Sequence, residues 1–354
     1  MKTIAHCLAM AASLMVCAAT ARAADDRCDR AGAEDGSSPM VDLRIDNDLF
    51  ANQDQGYTSG ILLGLVSPNL ANYTDDRCLP APARWLNSYL DWLQPRGFDQ
   101  QNMVVRIGQQ MFTPVDFEAT ELIEDDRPYA GIFLVSLGYN ARENDRLRST
   151  TLDVGMLGPS SYAEQSQDFI HDLIGSEKFN GWDNQLRDEV VFRIAHERAR
   201  RFPAKGAFGN PDGFGVDAIR HYGLSVGTLA TYANVGGEVR FGWKLPDDFG
   251  TSPLRPAGEN SAPSMRARFQ SGWSVHGFLS FDGRLVLRDV TLDGNTWKSS
   301  HSVDKEPLVS EAALGMAIRH GRWKFAYARY FRTREFEGQA ERPSYGSFTV
   351  SAAL

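Results

Sequence analysis

Beyond residue 24 the chain contains no run of about 20 apolar residues, so the sequence offers no bilayer-spanning helix. What recurs instead is a period of two. Val41, Leu43 and Ile45 alternate with Asp42, Arg44 and Asp46, and Met103, Val105 and Ile107 alternate with Val104, Arg106 and Gly108. The same spacing returns at Phe133, Val135, Leu137 and Tyr139, at Trp323, Phe325 and Tyr327, and at Phe348, Val350, Ala352 and Leu354. Successive side chains of a strand point to opposite faces, so each run reads as a strand with one apolar face. About 12 such segments are expected, near 40–50, 56–67, 102–112, 129–141, 147–158, 188–200, 218–230, 233–244, 268–292, 307–319, 322–334 and 343–354, with polar or glycine-containing turns between them. An even number brings both chain ends to one side.

Residues 1–23 carry the marks of an export signal: Lys2, an apolar run from Cys7 to Ala19, and small residues at Ala21 and Ala23. A lipid anchor on Cys17 would need small residues before it, where Leu14, Met15 and Val16 stand. Removal of the leader leaves Cys28 and Cys78, which an oxidising compartment would pair or leave as two thiols. The formal charge is −8, and the leader contains Lys2 and Arg22 but no acid, so the mature chain is more acidic still and nucleic acid is excluded as a partner. An exported, acidic chain with 32 glycines and alternating segments predicts one all-β domain over 24–354: a 12-stranded antiparallel transmembrane outer-membrane β-barrel, apolar face to lipid and polar face to the lumen. A soluble periplasmic all-β protein shares the alternation and is the competing fold.

Two insertions break the rhythm. Residues 82–94 place Trp85, Leu86, Tyr89, Leu90 and Leu93 at helical spacing. With a periplasmic N-terminus this connection and both cysteines are periplasmic, and the helix has two possible seats: the inner headgroup layer or the underside of the barrel mouth. The second insertion, 160–186, is extracellular by the strand count. Its helix from Tyr162 to Ile174 has an apolar edge of Phe169, Ile170, Leu173 and Ile174 and contains His171, which is expected to project from a surface loop. Long loops with their own helix tend to be functional.

The sequence is read as lacking a nucleophile elbow, H-E-x-x-H, a P-loop and C-x-x-C. His196, His221, His276, His301 and His320 show no partner pattern and read as lumenal or surface hydrogen-bonding groups. By contrast, Asp46-Asn47-Asp48 and Asp54 through Gly60 bring carboxylates, an amide and hydroxyls to one rim. Such hard oxygens suit calcium, and a polar hairpin is the plainer reading.

Asn47-Asp48-x-Phe50 with Asp54-x-x-Tyr57-Thr58-x-Gly60, the segment Asp126-Arg-Pro-Tyr-Ala-Gly131, and above all Gly158-Pro-Ser followed by His171-x-x-Ile-Gly-x-Glu177-Lys-x-x-Gly-Trp-Asp-Asn-Gln-Leu186 resemble the lipid A 3'-O-deacylase family of Gram-negative outer membranes. The resemblance covers nearly the whole mature chain. It implies a 12-stranded outer-membrane enzyme, a carboxylic ester hydrolase, that removes the 3'-linked acyloxyacyl group of lipid A in lipopolysaccharide, with Ca2+ as cofactor and lipid A and membrane lipid as partners. Carried over by position, it makes His171 the water-activating base, places Thr58 and Asn47 in the same catalytic site, and gives Asn47, Asp48 and Glu177 as metal ligands. That division of labour is coherent, because ester hydrolysis needs a base near neutral pH and a positive centre for the developing oxyanion.

The chain departs from the family pattern in two places. Residues 113–126 contain no Lys or Arg where a basic residue is expected, but six acids, Asp116, Glu118, Glu121, Glu124, Asp125 and Asp126, with Arg127 the nearest cation. The chain ends on Leu354 and not on an aromatic residue. Two rival functions follow: a phospholipase A-like enzyme, which would need an H-x-S-N-G setting absent here, and an inactive structural barrel.

Overall fold

The computed structural model describes residues 39–48, 56–76, 78–98, 100–175, 177–204, 209–210, 212–250 and 272–354. Their strands are β1 (Met40–Asn47), β2 (Gly56–Val66), β3 (Gln100–Thr113), β4 (Ala130–Glu143), β5 (Arg146–Leu157), β6 (Glu189–Pro203), β7 (Phe214–Gly227), β8 (Ala230–Trp243), β9 (Trp273–Asp289), β10 (Leu308–His320), β11 (Trp323–Arg332) and β12 (Ser344–Ala353). Each pairs antiparallel with its sequence neighbours, and β1 closes on β12 with Met40 opposite Ala353 and Asn47 opposite Gly346. Among the described residues three α-helices punctuate the connections: α1 (Ala81–Tyr89), α2 (Ala163–Ile174) and the short α3 (Val290–Asp293). The all-β barrel expectation holds. The strand expected over 268–292 runs only from Trp273, and α3 takes over at Val290, where Asp289 caps it by accepting from the Thr291 amide at 2.9 Å. The helix expected over 82–94 ends at Tyr89 and continues as a 3-10 turn, Asp91–Leu93. The export signal and Cys28 lie outside the described residues; Cys78 is disulfide-bonded.

Burial decides between the two barrel types. Leu279 and Phe281 of β9 are each 54% exposed, whereas Asp217, Glu238 and Arg240 are 2%, 3% and 0% exposed. A soluble sheet buries its apolar face; this barrel turns Leu43, Val135, Val154, Leu224, Val226, Val235 and Leu314 outward and encloses its charges. The enclosed charges are paired. Asp217 accepts from Arg201 at 2.6 Å and from Arg240 at 2.8 and 2.6 Å. Asp282 accepts from Arg284 and Asn234 and meets His221, while Glu311 holds Arg332 and the Tyr345 hydroxyl. Tyr57, Tyr330 and Tyr345 cross the lumen in contact, with ring centroids 5.1 and 4.8 Å apart. These pairs and rings narrow the lumen, and a cavity of about 200 Å³ within it is bordered by the charged Arg44, Asp46, Arg193, Arg284 and Glu335 and by apolar groups such as Phe112, Ile132 and Leu134.

Two connections fold back onto the outside of the wall. In β3, Arg106 and Phe112 face inward, so the opposite parity of Met103, Val105 and Met111 faces outward. Met103 is nevertheless 6% exposed and the outward Tyr139 of β4 is 0% exposed. Leu70, Tyr73, Leu79 and Leu93 cover them, with Leu137, Leu152 and Ile194 at the edge of the cluster. Asn87 of α1 pins this cover: it donates to the Tyr73 carbonyl at 2.6 Å and accepts from the Tyr139 hydroxyl at 2.8 Å. The first insertion thus sits on the outer wall and not beneath the mouth, with Trp85, Tyr89 and Trp92 at least 64% exposed beside the apolar belt.

Because the exposed face of β9 meets hydrocarbon, Phe281→Arg should destabilise the barrel by about 2–4 kcal/mol, the cost of a cationic side chain near the bilayer midplane. Reversible urea unfolding from phospholipid vesicles measures this, and an unchanged midpoint would place that face elsewhere.

Candidate active site on the outer wall

The rim opposite the chain ends carries one continuous outward-facing row. Asn47 pairs with Ser59, Ser59 with Met111, and Met111 with Gly131, so the row runs across β1, β2, β3 and β4. A bulge makes it possible. The β2–β3 register shifts between Tyr57 and Ser59, leaving Thr58 as the extra residue. Tyr57 can therefore point inward and donate to Asp46 at 2.9 Å while Ser59, two positions on, faces out. Asp48 follows Asn47 at the end of β1 and is fully buried. Three of the expected site residues, Asn47, Asp48 and Thr58, are thus brought together by backbone pairing; Asp54 lies outside the described residues.

The second insertion lies over this row. Gly158 and Tyr162, both at positive φ (97° and 59°), turn the chain through the 3-10 turn Pro159–Ser161 into α2. Gln109, outward on β3, donates to the Ser161 carbonyl at 2.6 Å. Gly131 then permits contact: a Cβ there would lie 2.3 Å from both Ala163 Cβ and Ser161 Oγ. Beneath the helix, Met111, Tyr129, Ala163, Phe179 and Trp182 form a buried cluster. Trp182 donates its indole N–H to Gln167 of α2 at 2.7 Å, and its ring lies 5.1 Å from that of Tyr129. The helix ends at Gly175, whose φ of 72° suits glycine and whose amide donates to the His171 carbonyl at 2.8 Å.

His171 does not project into solvent as expected; it is 3% exposed. Its ring meets Phe179 edge-on, with centroids 5.9 Å apart, whereas Phe169 on the same helix is 55% exposed. Nδ1 contacts the backbone carbonyl of Glu177. A carbonyl only accepts, so Nδ1 carries the proton and the neutral ring keeps its lone pair on Nε2. Glu177 therefore reaches the site through its main chain, while its side chain is exposed. The resemblance gives Glu177 as a metal ligand, and a side-chain pattern cannot reveal this main-chain contact. The two halves of the site, the Asn47–Asp48–Thr58 rim and the His171–Glu177 loop, are joined through Met111, the register neighbour of Ser59, and the Phe179 and Trp182 cluster on it.

The acidic connection after β3 is built as turns. Asp116 accepts from the amides of Glu118 and Ala119, and Asp126 from those of Val115 and Arg127. Arg127 points away from the site: it is 2% exposed, donates to Thr291 at 3.0 Å and Glu335 at 3.2 Å, and lies 4.7 Å over the Phe112 ring. Burial alone would raise the Glu335 carboxyl, but Arg332 and then Arg127 hold it below the ordinary carboxylate range, so this tie stands at neutral pH and is lost as acidification protonates Glu335. Lys178 bridges Asp172 at 2.9 Å and Asp168 at 3.5 Å on α2. Among the described residues, no three His, Cys, Asp or Glu side chains gather as a metal cluster. One correction concerns the elbow motif: Gly223-Leu224-Ser225-Val226-Gly227 has its spacing, but lies within β7, where Ser225 donates to the Ala230 carbonyl at 3.0 Å. A nucleophile elbow needs a strand-to-helix turn.

Residues 6–354 match the family model described as outer membrane protein LpxR. The chain belongs to the LpxR family of lipid A 3'-O-deacylases, and it is an outer-membrane protein. LpxR from Salmonella typhimurium is similar in structure, with a TM-score of 0.69 at 17% sequence identity, covering 89% of this chain and 100% of that one. The β domain of the Bordetella autotransporter BrkA aligns at a TM-score of 0.41 and 8% identity, covering 90% of this chain and 99% of that one, which carries no further weight. No curated protein matches the chain in sequence.

The seat of α2 gives a direct expectation. Gly131→Val should leave a heat-modifiable barrel but lift the 158–188 loop, read as faster protease cleavage within that loop. Cleavage at the parental rate would show that the helix does not depend on this contact.

Proposed function

We propose that this LpxR-family barrel hydrolyses the ester holding the 3'-linked acyloxyacyl group of lipid A. The observation that carries the reading is the seat of His171: a base of fixed tautomer on the lipid side of the wall, at the rim away from the chain ends, where the outer leaflet presents lipid A. The lumen, by contrast, is crossed by buried ion pairs such as Asp217 with Arg240 and Glu311 with Arg332, against which acyl chains would pack poorly.

His171 Nε2 would take a proton from water as the water oxygen attacks the ester carbonyl carbon. The imidazolium, steadied by the Glu177 carbonyl, would return that proton to the sugar oxygen as the acyl C–O bond breaks. No serine nucleophile is required. The donor set fits calcium: Asp48 is a fully buried carboxylate beside the amide of Asn47 and the bulge at Thr58, all hard oxygen donors, with Glu177 brought by the loop. Bound calcium would supply positive charge to the carbonyl oxygen. Asn47, Asp48 and Glu177 would hold it, and Thr58 would line the same site.

Mass spectrometry of lipid A from cells expressing the chain should show loss of one 3'-acyloxyacyl group; unchanged lipid A with phospholipid breakdown would instead favour a phospholipase. His171→Gln should lower turnover by about 10²–10⁴-fold, the usual contribution of a positioned base. A folded His171→Gln barrel with near parental rate would remove this residue from the mechanism.

The metal assignment has its own expectation. Asp48→Ala should abolish calcium-dependent turnover more completely than Asp54→Ala. Glu177→Ala preserves the backbone carbonyl, so weakened calcium dependence in that variant reports its carboxylate alone. Full activity in excess chelator would exclude the ion from the chemistry.

A further inference from the structure

The opposite rim carries a second outward-facing constellation. In β5 the residues Leu147 and Ser149 are buried toward the lumen, so Arg146 and Arg148 face the membrane; Arg198 and Arg200 do the same on β6, and Arg220 on β7. Register draws them together. Arg146 pairs with Arg200 and Arg148 with Arg198, while Arg200 also pairs with Arg220 and Arg198 with Tyr222. All five arginines are exposed, and none forms a salt bridge among the described residues. Like charges set directly opposite one another repel. Aromatic rings hold their planes: Arg148 lies 4.9 Å over Phe98, and Arg200 and Arg220 lie 5.0 and 5.3 Å over Phe202. The cleft between them has a volume of about 240 Å³ and includes one carboxylate, that of Glu143.

Depth identifies what such a cleft meets. It lies at the rim of the chain ends and the short turns at 144–145 and 321–322, which in outer-membrane barrels is the periplasmic rim. Phe98 belongs to the same connection as Trp85, Tyr89 and Trp92, whose exposed rings beside the apolar belt mark the headgroup level. Along the same strands toward the opposite rim, Tyr222 and Leu224 are 51% and 63% exposed, and Val154 and Phe192 further on are 44% and 45% exposed. A positive cleft at headgroup depth with an apolar track above it matches one ligand class. We infer that it binds an anionic glycerophospholipid of the periplasmic leaflet, its phosphate between the Arg146–Arg200 and Arg148–Arg198 pairs and its acyl chains along Tyr222 and Leu224. Guanidinium forks suit phosphate oxygens, and the ligand's negative charge would relieve the repulsion within the cluster.

The test is native mass spectrometry of the full barrel, released from detergent after exposure to equal amounts of dioleoyl phosphatidylglycerol and dioleoyl phosphatidylcholine, which share tails and differ in net charge. Phosphatidylglycerol should be retained preferentially, and Arg148→Gln with Arg198→Gln should weaken its retention roughly fivefold per arginine. Arg334→Gln, at the other rim, should change nothing. Heat-modifiable migration confirms that each variant is folded, and Arg198→Gln alone serves if the double variant is not. Equal retention of the two lipids, or retention indifferent to the arginines, overturns the inference. Displacement of phosphatidylglycerol by an equal concentration of inorganic phosphate would overturn the lipid assignment in favour of a free-anion site.

Discussion

Closure of β1 on β12 is the constraint from which the rest follows. A sheet in hydrocarbon has no water to satisfy an open edge, so every strand must find two partners, and the register that achieves this also fixes which side chains face lipid. Once Asn47 is opposite both Gly346 and Ser59, the parity of the rim is set. The charges at Asp42, Arg44 and Asp46 then fall inside, where pairing is obligatory, and Leu43 and Ile45 fall outside. A one-residue slip would exchange the two faces along the whole strand.

The same parity explains why the proposed site lies on the wall and not in the bore. The lumen is occupied by ion pairs and by the stacked Tyr330 and Tyr345 rings with Tyr57 edge-on to Tyr345. The outward row at the rim is free to be covered, and α2 covers it through Gly131 and Met111. On the proposed reading, a base there would need no access channel, because its substrate would stand in the adjoining leaflet. In the proposed mechanism the contact from His171 to the Glu177 carbonyl would give the orientation that a carboxylate supplies in known hydrolytic sites, using only the turn of the loop.

Much of this was legible in the residues. Val41, Leu43 and Ile45 against Asp42, Arg44 and Asp46 report a strand and its two faces, because period two has no other common cause. The block from His171 to Leu186 marked the loop that holds the proposed base. Other features were not legible because they depend on pairing between distant segments. The bulge at Thr58 shows only when β2 is laid against β3, and Gly131 matters only once Ala163 is packed on it. Burial of His171 follows from Phe179 folding under α2, which spacing alone does not encode. Arg127, the nearest cation in sequence to the acidic connection, is committed to Glu335 and Thr291, more than 160 residues away along the chain.

The central claim is that lipid A is met on the outer wall beneath α2 and not in the lumen. Photo-crosslinking tests it most directly, with a benzophenone side chain placed either at Phe169, exposed on α2, or at Gln110, inward on β3. Irradiation in membranes containing labelled lipid A should attach the label to the barrel carrying the probe at position 169 and leave the position 110 barrel unlabelled. Labelling at 110 without labelling at 169 would contradict the account.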